Sequence, residues 1–177
     1  MGACHGGKNR GSDDRVFDSR RAGIHHGAMR TLDIDWADLE IAFRDAGSES
    51  HLDTQSGEVV SIVDGFDDER EVRERLARFP GRFVRIAPVD KAWSTEVLHK
   101  FIARQRGKLK MALVDAVTGA GALSRATAVL RDDKAAWASF SRFEQSELLK
   151  CIEQFLADQQ LKSEAAAPSL ELFEGLS

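Results

Sequence analysis

His51, Asp53 and Asp64 cluster around one short stretch, and a histidine between carboxylates is the usual equipment for moving a proton or activating water. Hairpin polarity and helix capping explain the same residues more cheaply. Glu96-x-x-His99 has the spacing of a carboxylate–histidine metal pair, since residues three apart share a helix face. A two-metal centre needs a second such pair, and the sequence has none, so a surface pair is the better reading. Cys4-His5 and His25-His26 hold atoms that could bind zinc, but they lack the usual ligand spacing and lie where little can be buried. Cys151, between Leu148 and Ile152 in an apolar stripe, reads as a small core residue and not as a nucleophile. Gly119-Ala120-Gly121 lacks the Lys-Ser/Thr end of a phosphate loop and follows a helical pattern, so it reads as a turn between helices. No catalytic, metal or cofactor-binding residue is assigned from these patterns.

Two other patterns bear on partners. Lys100, Arg104, Arg106, Lys108 and Lys110 fall in a stretch without acids, whereas acids dominate between Thr31 and Leu76. Such a basic run can meet phosphates, and Trp93 or Phe101 could stack on bases, but these aromatics fall at core-facing spacing. A net charge of −4 argues against a general polyanion binder. The second pattern is Ser169-Leu170-Glu171-Leu172-Phe173. It resembles the Gln-Leu-x-Leu-Phe peptide with which many bacterial polymerases and repair proteins hold the sliding clamp. Leu170, Leu172 and Phe173 are therefore the candidate partner-binding residues. Ser169 stands where that peptide usually has glutamine. Folding of this end back onto its own domain is the competing reading.

The elements that must carry these residues follow from periodicity. Thr54-Gln55-Ser56-Gly57 reads as a turn closing a hairpin over His51 to Asp64. The run Val59, Val60, Ile62 and Val63 has apolar residues on both sides of the pleat, which predicts a central strand. Arg82 to Ala87 reads as a third strand. Asp35 caps a helix carrying Trp36, Leu39 and Phe43 and ended by Gly47, with Ile34 and Leu39 as a hydrophobic staple. Asp64 to Glu69 supplies caps for a second helix, with Val72, Leu76 and Phe79, stopped by Pro80-Gly81. From Asp90 the pattern is helical throughout. It comprises a helix with Trp93 and Phe101, one with Leu109 and Leu113, a short one over Leu123 to Leu130, one with Trp137 and Phe140, and a last one with Leu148, Ile152 and Leu156. The expectation is α+β: a small antiparallel sheet of about three strands packed by helices, with a mostly helical C-terminal half. Residues 1–30 read as a disordered extension, 31–161 as a single domain, and 162–177 as a flexible tail. Met29 offers an alternative start for the folded part. The first residues lack an export h-region, and no apolar run approaches the ~20 residues of a membrane span. Two cysteines without a disulfide framework fit a reducing cytosol.

The order of motifs adds a resemblance. Asp38-Leu39-Glu40-Ile41-Ala42-Phe43, Leu52-Asp53 with Gly57-Glu58-Val59-Val60, Arg82-Phe83-Val84-Arg85-Ile86 with Pro88, Phe101-Ile102, Gly119-Ala120-Gly121-Ala122 and Trp137-x-x-Phe140 together resemble a bacterial uncharacterised protein family (UPF number 0158). The likeness spans Asp35 to Leu161. It departs where Ser50-His51 replaces a pair of tyrosines and where Leu123-Ser124-Arg125-Ala126 keeps a single base. The resemblance implies a bacterial cytosolic α+β protein without an assigned activity. The resulting expectation is a non-enzymatic interaction or accessory protein with an unidentified protein partner. One alternative is a replication or repair accessory tethered to the sliding clamp, with nucleic acid a weaker partner. The other is a hydrolytic or metal-dependent enzyme using His51, Asp53 and Asp64.

Overall fold

The computed structural model describes residues 29–65 and 68–168. Its elements in order are β1 (Arg30–Leu32), α1 (Trp36–Arg44), β2 (Glu49–Asp53), β3 (Val59–Ile62), α2 (Glu69–Arg78), β4 (Phe83–Ile86), α3 (Lys91–Arg104), α4 (Gly107–Ala116), α5 (Ala122–Asp132), α6 (Lys134–Asp158) and β5 (Leu161–Ser163). The protein is α+β, with an antiparallel sheet of order β3-β2-β4 and helices gathered in the C-terminal half. Asp35 caps α1 by accepting from the Ala37 N–H at 2.7 Å, and Asp90 and Asp133 do the same for α3 and α6. α1 ends before Gly47, because the Asp45 carboxylate accepts from the Gly47 N–H and turns the chain. Asp68 precedes α2 without a side-chain cap; instead Glu69 reaches back to the Gly65 N–H.

The hairpin forms where its turn residues place it, but its strands are ordered differently from expectation. β2 is central, paired with β3 on one side and β4 on the other, and β3 lies at the edge. Both faces of β3 are nevertheless covered. Val59 packs with Leu52 and Ile86 against α1 and α6, while Val60 and Ile62, on the face towards α2, are buried too. Two-sided apolarity thus reports covered faces and not the position of the backbone hydrogen bonds. β2 can be central despite reading Glu-Ser-His-Leu-Asp because its fully buried polar residues are paired: the Ser50 and Ser61 hydroxyls meet at 2.8 Å, and Asp53 has partners described below, the half-buried His51 being the exception.

Two further expectations change. The last two predicted helices are one, since no breaker separates Phe140 from Leu148 and α6 runs unbroken for 25 residues. Arg30, assigned to the extension, and Lys162 and Ser163, assigned to the tail, belong to the parallel pair β1–β5. The Ser163 hydroxyl donates to the Ile34 carbonyl, and the Trp36 indole N–H to that of Ala165. Two buried clusters result. One joins Ile34, Leu39, Phe43, Leu52 and Ile86 to the C-terminal half of α6, and the other joins α3, α4 and α5 to its N-terminal half. Among the described residues no helix is long and apolar enough to cross a membrane.

Gly57 has φ +86°, and a Cβ there would stand 2.4 Å from the Asp33 carbonyl oxygen. Gly57→Ala is therefore expected to cost about 2 kcal/mol or more, combining left-handed strain with a backbone clash, and to lower the melting temperature by about 5 °C or more. Gly65→Ala, at φ +84° with nothing within 4 Å, supplies the control and should lose about 1 kcal/mol. Equal losses in thermal denaturation would remove the clash as the cause.

Candidate functional site

The sheet face towards α2 carries the polar residues that drew attention in the sequence. β2 directs Glu49, His51 and Asp53 to this face, because alternate residues of a strand share a side. Asp53 is fully buried, and its carboxylate takes a fork of three contacts from Arg82: Nε to Oδ1 at 2.8 Å, Nε to Oδ2 at 2.9 Å and Nη2 to Oδ2 at 2.6 Å. The Gln55 N–H adds a bond at 2.9 Å, and Arg75 of α2 stands at 3.6 Å. Burial alone would push the Asp53 carboxyl up. The Arg82 donors, with Gln55 and Ser56, outweigh it and bring the pKa down to about 2. Arg82 lies over the rings of Phe79 and Phe83, and Arg75 over Phe83, so both cations are held by aromatic faces as well.

His51 and Asp64 do not join this pair. The His51 Nε2 stands 3.6 Å from a Glu49 oxygen, and its buried Nδ1 has no hydrogen-bond partner among the described residues. Burial lowers the His51 pKa; Glu49 opposes this, and Arg85 and Arg73 add to it. Asp64 is exposed and bound to Arg73 at 3.2 Å. Arg73 also grips Glu49 at 3.1 Å and Glu69 at 3.0 Å, and Arg75 holds Glu58 at 2.8 Å. The cluster is an ion-pair lattice tying α2 across the hairpin. Asp53 is held as an anion by Arg82 near neutrality, where it is unsuited to taking up a proton.

The other predicted residues are dispersed. Glu96 pairs with Lys100 at 2.8 Å while His99 is exposed, and no group of metal-ligating residues forms among the described residues. Within the basic run, Lys100 is shared between Glu96 and the buried Glu147, and Arg104 lies over the Phe143 ring at 4.6 Å. Arg106, Lys108 and Lys110 are exposed. Phe101 is buried, and the Trp93 indole N–H points at the Cys151 sulfur at 3.2 Å, so neither ring offers a stacking face. Gly119 and Gly121, both at positive φ, form the predicted turn between α4 and α5. Sequence reasoning missed Arg125, whose guanidinium donates to the carbonyls of Ala116, Thr118 and Ala120 and so closes the C-terminal end of α4. A basic residue within reach of a helix end was the available signal. Cys4, His5, His25, His26, Leu170, Leu172 and Phe173 lie outside the described residues.

Pro168, the last described residue, lies in a groove of about 490 Å³ whose charged lining is Asp33, Asp35, Asp38 and Glu58. The residues that come next in sequence carry Glu171 and Glu174. No protein-family model matches the chain, and comparison with curated proteins and with solved structures likewise gives no match.

Asp53→Ala should destabilise the fold by about 3–5 kcal/mol, because it leaves Arg82 facing a buried gap without its anion. In an Arg82→Met background the same change should cost far less. Chemical denaturation of the four proteins measures this, and additivity within about 0.5 kcal/mol would refute the pairing. Acid acts through the same group. With the folded pKa near 2 and an ordinary value of 3.8, Asp53 contributes stability that is complete above pH 3.8 and lost as pH falls towards 2. This amounts to about 2 kcal/mol and should be missing from the acid titration of the Asp53→Ala protein.

Proposed function

We propose that this chain is a non-enzymatic interaction protein of the bacterial cytosol, whose folded part serves to present the segment containing Leu170, Leu172 and Phe173 to a protein partner. The carrying observation is the acidic groove at Pro168. Its carboxylates repel a following segment that is itself acidic, which disfavours docking of the apolar residues on the domain they have just left. The commitment of the cluster's carboxylates to ion pairs supports the same reading, because Asp53, Glu58 and Glu69 are held by Arg82, Arg75 and Arg73 and tie the hairpin to α2. Membership of the bacterial uncharacterised family belongs to this proposal and rests on the order of motifs alone.

The sliding clamp is the partner that the Leu-x-Leu-Phe pattern favours, making the protein a replication or repair accessory. Extended apolar peptides of this kind bind by filling adjoining pockets with two or three side chains. A nucleic-acid role through the basic run has less support, since Lys100 and Arg104 are engaged within the fold.

A labelled peptide covering residues 164–177, titrated with clamp from the host, should bind with a Kd of about 1–100 µM, and Leu172→Ala with Phe173→Ala should weaken it at least tenfold. Absence of saturation would eliminate the clamp. Capture of host proteins by the full chain should lose a specific band when the same two residues are changed, and identical captures would refute presentation by this segment.

A further inference from the structure

α4 turns Leu113 and Ala116 into the second cluster and leaves its opposite face without a neighbour among the described residues. At the crest of that face Met111 is 69 % exposed, with Val114 at 47 % beside it. At helical spacing these flank Lys108 and Lys110, with Arg106 at the helix start and Asp115 the one acid on the face. Lys108, Lys110 and Arg106 form no ion pair with a described residue. An exposed methionine beside a branched aliphatic residue, rimmed by free cations, matches a peptide that alternates apolar residues with acids. Leu170-Glu171-Leu172-Phe173-Glu174, outside the described residues, is such a segment and carries no base.

We propose that the outward face of α4 receives the Leu170–Glu174 segment of a second copy of this chain. Leu172 and Phe173 would cover Met111 and Val114, while Glu171 and Glu174 meet Lys108, Lys110 and Arg106. Reach decides that the segment comes from another copy. α4 belongs to the cluster at the N-terminal half of α6, whereas the chain emerges at Pro168 beside α1 and β3, which pack with the C-terminal half. Phe140, in the cluster that α4 joins, and Leu156, which lines a pocket with Ala165 to Ala167, are sixteen residues apart on α6, about 24 Å along its axis. Leu172 is four residues beyond Pro168, which spans about 13 Å of extended chain. A segment leaving one end and docking at the other also makes the contact head-to-tail, so association grows beyond a pair unless a ring closes. The inference rests on the segment leaving its own domain, as argued above, and not on its having a host partner; it names a second copy as an occupant in its own right.

The test uses two full-length variants, Met111→Glu with Val114→Glu on the receiving face and Leu172→Glu with Phe173→Glu on the segment. By sedimentation equilibrium, the unaltered chain should show a weight-average mass rising above 19.6 kDa over about 10–200 µM and falling back as salt is raised. Each variant alone should be monomeric, with association at least tenfold weaker. An equimolar mixture should regain association that stops at a one-to-one pair, because one partner retains the face and the other the segment. A monomeric unaltered chain at about 200 µM, or association undiminished in either variant, overturns the proposal. A circular dichroism melt that matches the unaltered chain assigns a lost contact to the surface and not to misfolding. If self-association follows this pattern while host capture is indifferent to the segment, the preceding reading fails and this one stands; capture without self-association gives the reverse.

Discussion

The pair between the buried Asp53 and the partly exposed Arg82 is the interaction on which the sheet depends. Asp53 is the last residue of the central strand, and Arg82 immediately precedes β4. Their fork closes the same corner at which the Asp53 N–H bonds to the Glu58 carbonyl and the Thr54 N–H to that of Arg82. One carboxylate therefore helps set the hairpin register and the attachment of the third strand together. Such a pair is stabilising only while both members are present, since removal of either strands a charge or a cationic donor in a place made for its partner. The phenylalanines either side of Arg82 keep its planar group aligned for that fork.

From this corner the rest follows in layers. One sheet face is apolar and sealed by α1 and α6. The other is half apolar, through Val60 and Ile62, and half ionic, through the arginines of α2. α2 has no fully buried residue, so its attachment relies on Arg73 and Arg75 reaching across to Glu49, Asp53 and Glu58. The acidic excess between Thr31 and Leu76 finds its structural use here, as the counterpart of a few arginines.

Much of the architecture was legible in the residues. Asp35, the Thr54 to Gly57 turn, Pro80-Gly81 and the glycines at 119 and 121 each stop or start an element through chemistry that acts over a few residues. What escaped depends on contacts distant in sequence. β2 looks too polar to be central until Arg82, 29 positions away, is brought to Asp53. Leu161 to Ser163 shows no strand signal of its own and becomes one by pairing with β1. The hairpin cluster was legible in composition but not in role. Nothing local distinguishes His51 beside Glu49 from a working pair, whereas the coordinates show its Nδ1 without a partner among the described residues and Asp53 already neutralised.

The unbroken α6 makes a different point. At 25 residues it is about 37 Å long, and it supplies side chains to both buried clusters. No loop intervenes where the clusters meet, so melting of either one strips packing from a helix that the other also uses. Together with Trp93, which packs against both clusters, this rod couples the two interiors, and exchange protection of its amides is expected to rise and fall along its whole length.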